Sequence, residues 1–265
     1  MTPVSLERTA GWTVEAGTGG PVTVSVAWPE AEAPPDGFPV LAVLDAQTTF
    51  ATAVAAARLQ AGRPAATGVG PGVVLGLGHP GDKAAQTAAR RRDYTPPPFD
   101  AAGGTGGADA FLDLLDTVVL PAVERVVAID RERVALFGHS IAALLPLHAL
   151  LTRPQRFRCC IAASPSLWWD EGVMLQRARG FAAPGCRLLL TVGGLERPEA
   201  ALADGQAERA ARLGERNMVG NVAALADRLR DTVAVRCVEF AGENHGSVLP
   251  AAISRAVPFA LGMAA

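Results

Sequence analysis

The sequence predicts an α/β fold on a mostly parallel, doubly wound sheet, with an N-terminal antiparallel hairpin and a lid-like loop. Three observations carry this prediction. Short continuous apolar runs of strand length alternate with helix-length amphipathic segments along the chain. The first thirty residues instead alternate apolar and polar positions around a Gly-Gly-Pro turn. With 265 residues, 49% of them hydrophobic, the chain fits one large α/β domain over 1–265 better than two smaller ones.

Residues 11–28, GWTVEAGTGGPVTVSVAW, supply the hairpin, and the Pro- and Gly-rich PEAEAPPDG after them reads as a loop. FPVLAVLDA is apolar throughout, as expected of a strand covered on both faces. TTFATAVAAARLQAG then predicts a helix and GVVLGLGHP a buried strand. GGADAFLDLLDTVVLPAVERVV predicts an amphipathic helix, with Phe111, Leu114, Leu115 and Val118 near helical spacing. RVALFGHS is a strand, IAALLPLHALLTRP a helix, CCIAASPS and CRLLLTVGG strands, NMVGNVAALADRLRD a helix, AVRCVEF a strand and SVLPAAISRAVPFAL a closing helix. Between 79 and 109 the periodicity lapses, and this stretch is expected to lie as a loop over the carboxyl edge of the sheet, where ligands of such folds bind.

Charge narrows the function. With 24 Lys+Arg against 26 Asp+Glu there is no general basic field, so neither nucleic acid nor an anionic membrane is an expected partner. Cys159, Cys160, Cys186 and Cys237 sit in apolar runs without metal-ligand or disulfide spacing, and buried thiols on strands are expected. The start MTPVSLERTA lacks a basic region followed by an apolar one, so cytoplasmic residence is the expectation. No apolar run approaches the ~18–20 residues that span a bilayer.

The chemistry centres on GHSIA, residues 138–142. A serine between a buried strand and a helix projects its Oγ above the sheet edge, where the first N–H groups of the helix stabilise an oxyanion. Small residues on either side let strand and helix approach closely. Gly138 meets that need, and Ala142 meets it with one extra methyl. The nucleophile needs a base and an acid in the order Ser, acid, His. Of the four histidines, only His245 lies after the final strand. His79 and His139 precede the serine, and His148 is on the helix behind it. Glu196 is the nearest carboxylate after CRLLLTVGG, with Glu199 close behind and Glu243 a further competitor whose side chain is expected to point away from the imidazole. The backbone N–H of Ile141 and that of Ala46 or Gln47 are the expected oxyanion donors, with Asp45 bracing its loop. No metal or organic cofactor is implied, because every group in such an acyl transfer is a side chain or a backbone amide.

Several separated segments resemble one family, the enterobactin and salmochelin siderophore esterases (esterase D-like) of the α/β-hydrolase superfamily. They are VLDAQTTF, RRRDYTPPP, GGADAFLDLL, ALFGHSIAALL, AASPSLWW, LTVGGLERPE and GENHGSVLPAAISRAVPF, in the family's order over most of the chain. The resemblance implies Ser140 as nucleophile and His245 as general base. Members differ in whether a carboxylate completes the triad or a dyad suffices. Ala46, Ala142 and Ala143 stand where the family often has glycine. In the 79–109 loop, Arg92 before DYTP is the arginine expected to grip carboxylate or catecholate oxygens, and Trp168 and Trp169 are expected to stack on aryl groups. The expected activity is serine-dependent cleavage of a small-molecule ester, such as a ferric or free catecholate siderophore. The alternatives are acyl transfer to an alcohol and non-catalytic siderophore binding on the same fold.

Overall fold

A computed structural model describes residues 5–15, 19–98, 100 and 103–263. Eight strands form one sheet: β1 (Thr9–Glu15), β2 (Pro21–Ala27), β3 (Phe38–Leu44), β4 (Val73–Gly78), β5 (Ile129–His139), β6 (Cys159–Ala163), β7 (Arg187–Gly193) and β8 (Ala234–Phe240). Their order across the sheet is β1-β2-β4-β3-β5-β6-β7-β8. β2 runs antiparallel to both its neighbours, while β4, β3 and β5 to β8 are parallel. The expected hairpin is thus present, and the remaining strands are the mostly parallel sheet.

The two faces of the sheet are separated by the side-chain period of two. On β3, Val40, Ala42 and Leu44 enter one core, and Leu41 and Val43 the other. The second core is closed by Ala53, Val54 and Ala57 of the helix Ala46–Ala61 against Ala252, Ile253, Ala256 and Val257 of the helix Val248–Leu261. The first is closed by Leu112, Leu115 and Leu120, by Leu144 and Leu147, and by Val222 and Leu225. Each buried leucine contributes about 1.5–3 kcal/mol, which is why β3, β4 and β6 are apolar at nearly every position.

From β3 the chain crosses to β4 on one side, and β5 lies on the other side of β3. Connections that diverge in this way leave a crevice at the carboxyl ends of the two strands. Asp45 follows β3 and Ser140 follows β5, so both stand at that crevice.

Residues 79–109 differ from the expected loop, because Lys83–Tyr94 is a helix capped by Asp82 Oδ1 accepting from the Ala85 N–H at 2.9 Å. Only Asp93 and Tyr94 of it are buried, so it has no apolar stripe for periodicity to register. The helix expected over 106–127 runs from Ala108 to Glu124 and is interrupted by a π turn over Leu115–Val119. Cys159, Cys160 and Cys186 are buried as expected, but Cys237 is exposed because β8 is the edge strand. Among the described residues, no helix is long and apolar enough to cross a membrane.

Candidate active site

β5 ends at His139 in extended backbone, and Ser140 then takes φ 61, opening a tight turn over Ser140–Ala143 into the helix Leu144–Thr152. Left-handed backbone at a non-glycine residue costs about 1–3 kcal/mol and collects at functional sites. The turn folds back tightly on β5: a Cβ on Gly138 would lie 2.2 Å from the Ala142 carbonyl oxygen. Gly138 is therefore obligatory. Ala142, which departs from the glycine pattern, is fully buried, and its methyl packs into the first core.

His245 lies in the loop between β8 and the last helix. Its Nε2 is 2.9 Å from Ser140 Oγ, and its Nδ1 is 2.6 Å from Glu196 Oε2. Glu196 follows β7 and is buried at 2% exposure; its Oε1 accepts from the Gly193 N–H at 2.9 Å and from Ser164 Oγ at 2.5 Å. Burial alone would raise the Glu196 pKa, but the bonds from His245, Ser164 and Gly193 outweigh it and hold the carboxyl below its ordinary value. The Leu195 N–H donates to the Glu243 carbonyl at 3.0 Å, tying the acid's loop to the histidine's. Glu243 thus contributes its backbone, while Glu199 sits in the first turn of the next helix. Of the three competing carboxylates, Glu196 is the one that meets the imidazole.

His139 packs its ring against that of His245, with centroids 4.8 Å apart, and its Nε2 is buried with no hydrogen-bond partner among the described residues. Burial and the neighbouring His245 push its pKa down to about 4, so it stays neutral at ordinary pH.

Ile141 is in the first turn after the serine, and Ala46 and Gln47 open the helix after β3. First-turn N–H groups have no partner within their own helix. Asp45, at φ 57, does not cap them; its side chain instead accepts from Arg90 Nε at 2.7 Å. Asp45 braces the loop, as expected of it, and is itself held from the helix Lys83–Tyr94.

The arginine triplet divides into three roles. Arg90 holds Asp45, Arg91 stands 5.3 Å over the Trp169 ring, and Arg92 donates from Nε and Nη2 to both oxygens of Asp93. Asp93 also takes His79 Nε2 at 2.7 Å in a buried cluster. Neither Arg92 nor Trp169 is among the residues that line the cavity at the serine. The cavity there, about 200 Å³, is lined by Ser140, Glu196 and His245 together with Ser166, Trp168, Arg209, Arg212, Leu213, Arg216 and Met218. Trp168 is thus in the site, beneath Arg216 at 5.1 Å. Ser164, bonded to Glu196, and Ser166 and the three arginines of the cavity join the site only in the folded structure. The arginines were detectable in principle, since AERAARLGER places them at i, i+3 and i+7, one helical face. A larger cavity of about 440 Å³, near the amino end of β4 and lined by Trp28, Val54, Arg58 and Val74 among others, touches none of these groups.

A family model described as "Putative esterase" matches residues 16–224. The chain is 33% identical to the ferri-bacillibactin esterase BesA of Bacillus subtilis over 90% of its length and 84% of the relative's. It is 34% identical to the siderophore triacetylfusarinine C esterase of Aspergillus fumigatus, covering 96% and 93% of the two chains. Among solved structures, the siderophore hydrolase EstB from Aspergillus nidulans superposes with a TM-score of 0.82 at 29% identity, over 98% of this chain and 97% of that one. With the eight-stranded sheet and its crevice, these likenesses establish that the chain belongs to this esterase family of the α/β-hydrolase superfamily and is a carboxylic-ester hydrolase.

Proposed function

We propose that the chain hydrolyses siderophore esters through an acyl-enzyme on Ser140. The observation that carries this reading is the continuous hydrogen-bonded line Ser140 Oγ, His245 Nε2, His245 Nδ1, Glu196 Oε2, at 2.9 and 2.6 Å. The carboxylate accepts the Nδ1 proton and so leaves Nε2 as the basic nitrogen facing the hydroxyl. Ser140 Oγ attacks the ester carbonyl carbon as its proton passes to Nε2. The carbonyl oxygen becomes an oxyanion held by the N–H of Ile141 and that of Ala46 or Gln47. Collapse expels the alcohol, which takes the proton from Nε2. Water then repeats the sequence on the acyl-serine, releasing the acid and restoring Ser140. Ser164 and the Gly193 N–H orient Glu196 without touching substrate.

The substrate class follows from the relatives, two of which are named for ferri-bacillibactin and triacetylfusarinine C. The test is Ser140→Ala. It is expected to abolish turnover of p-nitrophenyl esters and of an iron-loaded catecholate lactone, and to remove labelling by a fluorophosphonate. Retained turnover in that variant would refute the assignment. Product analysis with and without an acceptor alcohol separates hydrolysis from acyl transfer.

A further inference from the structure

We propose that the arginine face of the helix Ala207–Arg216 is an anion-selecting wall of the substrate site, favouring esters whose bound metal core is multiply negative. An iron(III) tris(catecholate) is such a core, since three doubly charged catecholates around the ion leave a net trianion. This deepens the siderophore-ester reading and rests on it for the position of the scissile carbonyl.

Arg209, Arg212 and Arg216 share one helical face and all three line the cavity above Ser140. Their charge is little compensated. Arg209 donates to the neutral amide of Gln206 at 3.0 Å, and Arg212 reaches Glu208 only at 4.0 Å, with that glutamate 96% exposed. Arg216 stands over the Trp168 ring, and among the described residues neither it nor Arg209 forms an ion pair. The whole chain carries a formal charge of −2, so this wall is a local feature.

Size decides where a metal core sits. A cavity of about 200 Å³ is smaller than the ~300–1,000 Å³ that encloses a drug-sized ligand. Only the reacting arm of a siderophore fits beside Ser140, and the rest must lie outward against the exposed Arg212 and Arg216 and the half-buried Arg209. Planar guanidinium forks are matched to catecholate oxygens, and the Arg216–Trp168 stack offers a flat surface to an aryl ring. A neutral iron(III) tris(hydroxamate) core gains none of the Coulombic attraction.

Equilibrium binding in the S140A protein tests this without catalysis, by tryptophan quenching with the iron(III) complex of a hexadentate tris(catecholamide) and with a neutral iron(III) tris(hydroxamate). The charged complex is expected to bind at least about tenfold tighter. That preference should weaken from ~0.05 to ~0.5 M salt and disappear when R209A, R212A and R216A are added. The triple lysine variant should keep most of it. Equal affinity for the two complexes, or a preference that survives the triple alanine substitution, would overturn the proposal. So would triple-lysine protein that binds the charged complex no better than triple-alanine protein, because packing rather than charge would then be at work. Failure of the esterase reading would appear separately, as absent turnover of every ester by the unmodified enzyme.

Discussion

Replacing Glu196 with glutamine tests the line of hydrogen bonds most directly, because the surroundings dictate which way the new amide must face. The Gly193 N–H donates to Oε1 at 2.9 Å and needs an acceptor there, so the amide oxygen takes that side and the NH2 is turned toward His245 Nδ1. An imidazole that accepts at Nδ1 carries its proton on Nε2, facing Ser140 Oγ, and cannot take another from the serine. The wrong tautomer in a triad of this kind lowers kcat by ~10⁴, and we expect a loss of ~10³–10⁴, about 4–5 kcal/mol of transition-state stabilisation. The assay is saturating p-nitrophenyl ester hydrolysis, with circular dichroism to establish that the fold is intact. A loss of less than about tenfold would refute the reasoning and leave Ser140 and His245 as a dyad. Stability supplies an independent check. The folded-state pKa of Glu196 is depressed, so its contribution is present above the ordinary glutamate value of ~4.3 and is lost as pH falls through the folded value. The difference in urea midpoint between wild type and E196Q should therefore shrink as the pH is lowered below that range.

Other substitutions probe the turn and its neighbours. Gly138→Ala places a Cβ 2.2 Å from a backbone oxygen that cannot rotate away; it should cost at least about 3 kcal/mol in urea unfolding and remove activity, and a variant of wild-type stability would show the turn to be misdescribed. Ala142→Gly should cost only about 1 kcal/mol of stability and leave kcat within about twofold; a large loss in either would contradict the accommodation seen for the methyl. His139 sits at about 4 when folded against an ordinary 6.5, so its contribution is complete above 6.5 and is lost as pH falls toward about 4. That gap is worth about 3 kcal/mol. His139→Phe should flatten this part of the stability-versus-pH curve, and curves that stay parallel between pH ~7.5 and ~4 would show that His139 is not buried in neutral form.

The fold was legible because strands buried on both faces must be apolar at successive positions, and FPVLAV, VVLGLG and CCIAA cannot hide that. Chain order carried Ser140 and His245, because the site gathers at the carboxyl ends of parallel strands and only one histidine follows the last of them. The helix Lys83–Tyr94 leaves no periodic signal in the sequence, because it buries only two residues and has no apolar stripe. The exposure of Cys237 is not legible in AVRCVEF, because a strand's pattern does not say whether it lies at the edge of the sheet. By itself, then, the sequence determined the sheet, the strand–serine–helix turn and the chain order of Ser140, Glu196 and His245, all of which follow from local pattern and topology. Tertiary structure alone decided that Glu196 rather than Glu199 or Glu243 meets the imidazole, that Arg92 is spent on Asp93 while Arg90 braces Asp45, and that a helix seventy residues beyond the serine walls its cavity with arginine. Those outcomes depend on which loops lie within hydrogen-bonding distance across the sheet edge, a separation in space that spacing along the chain does not encode.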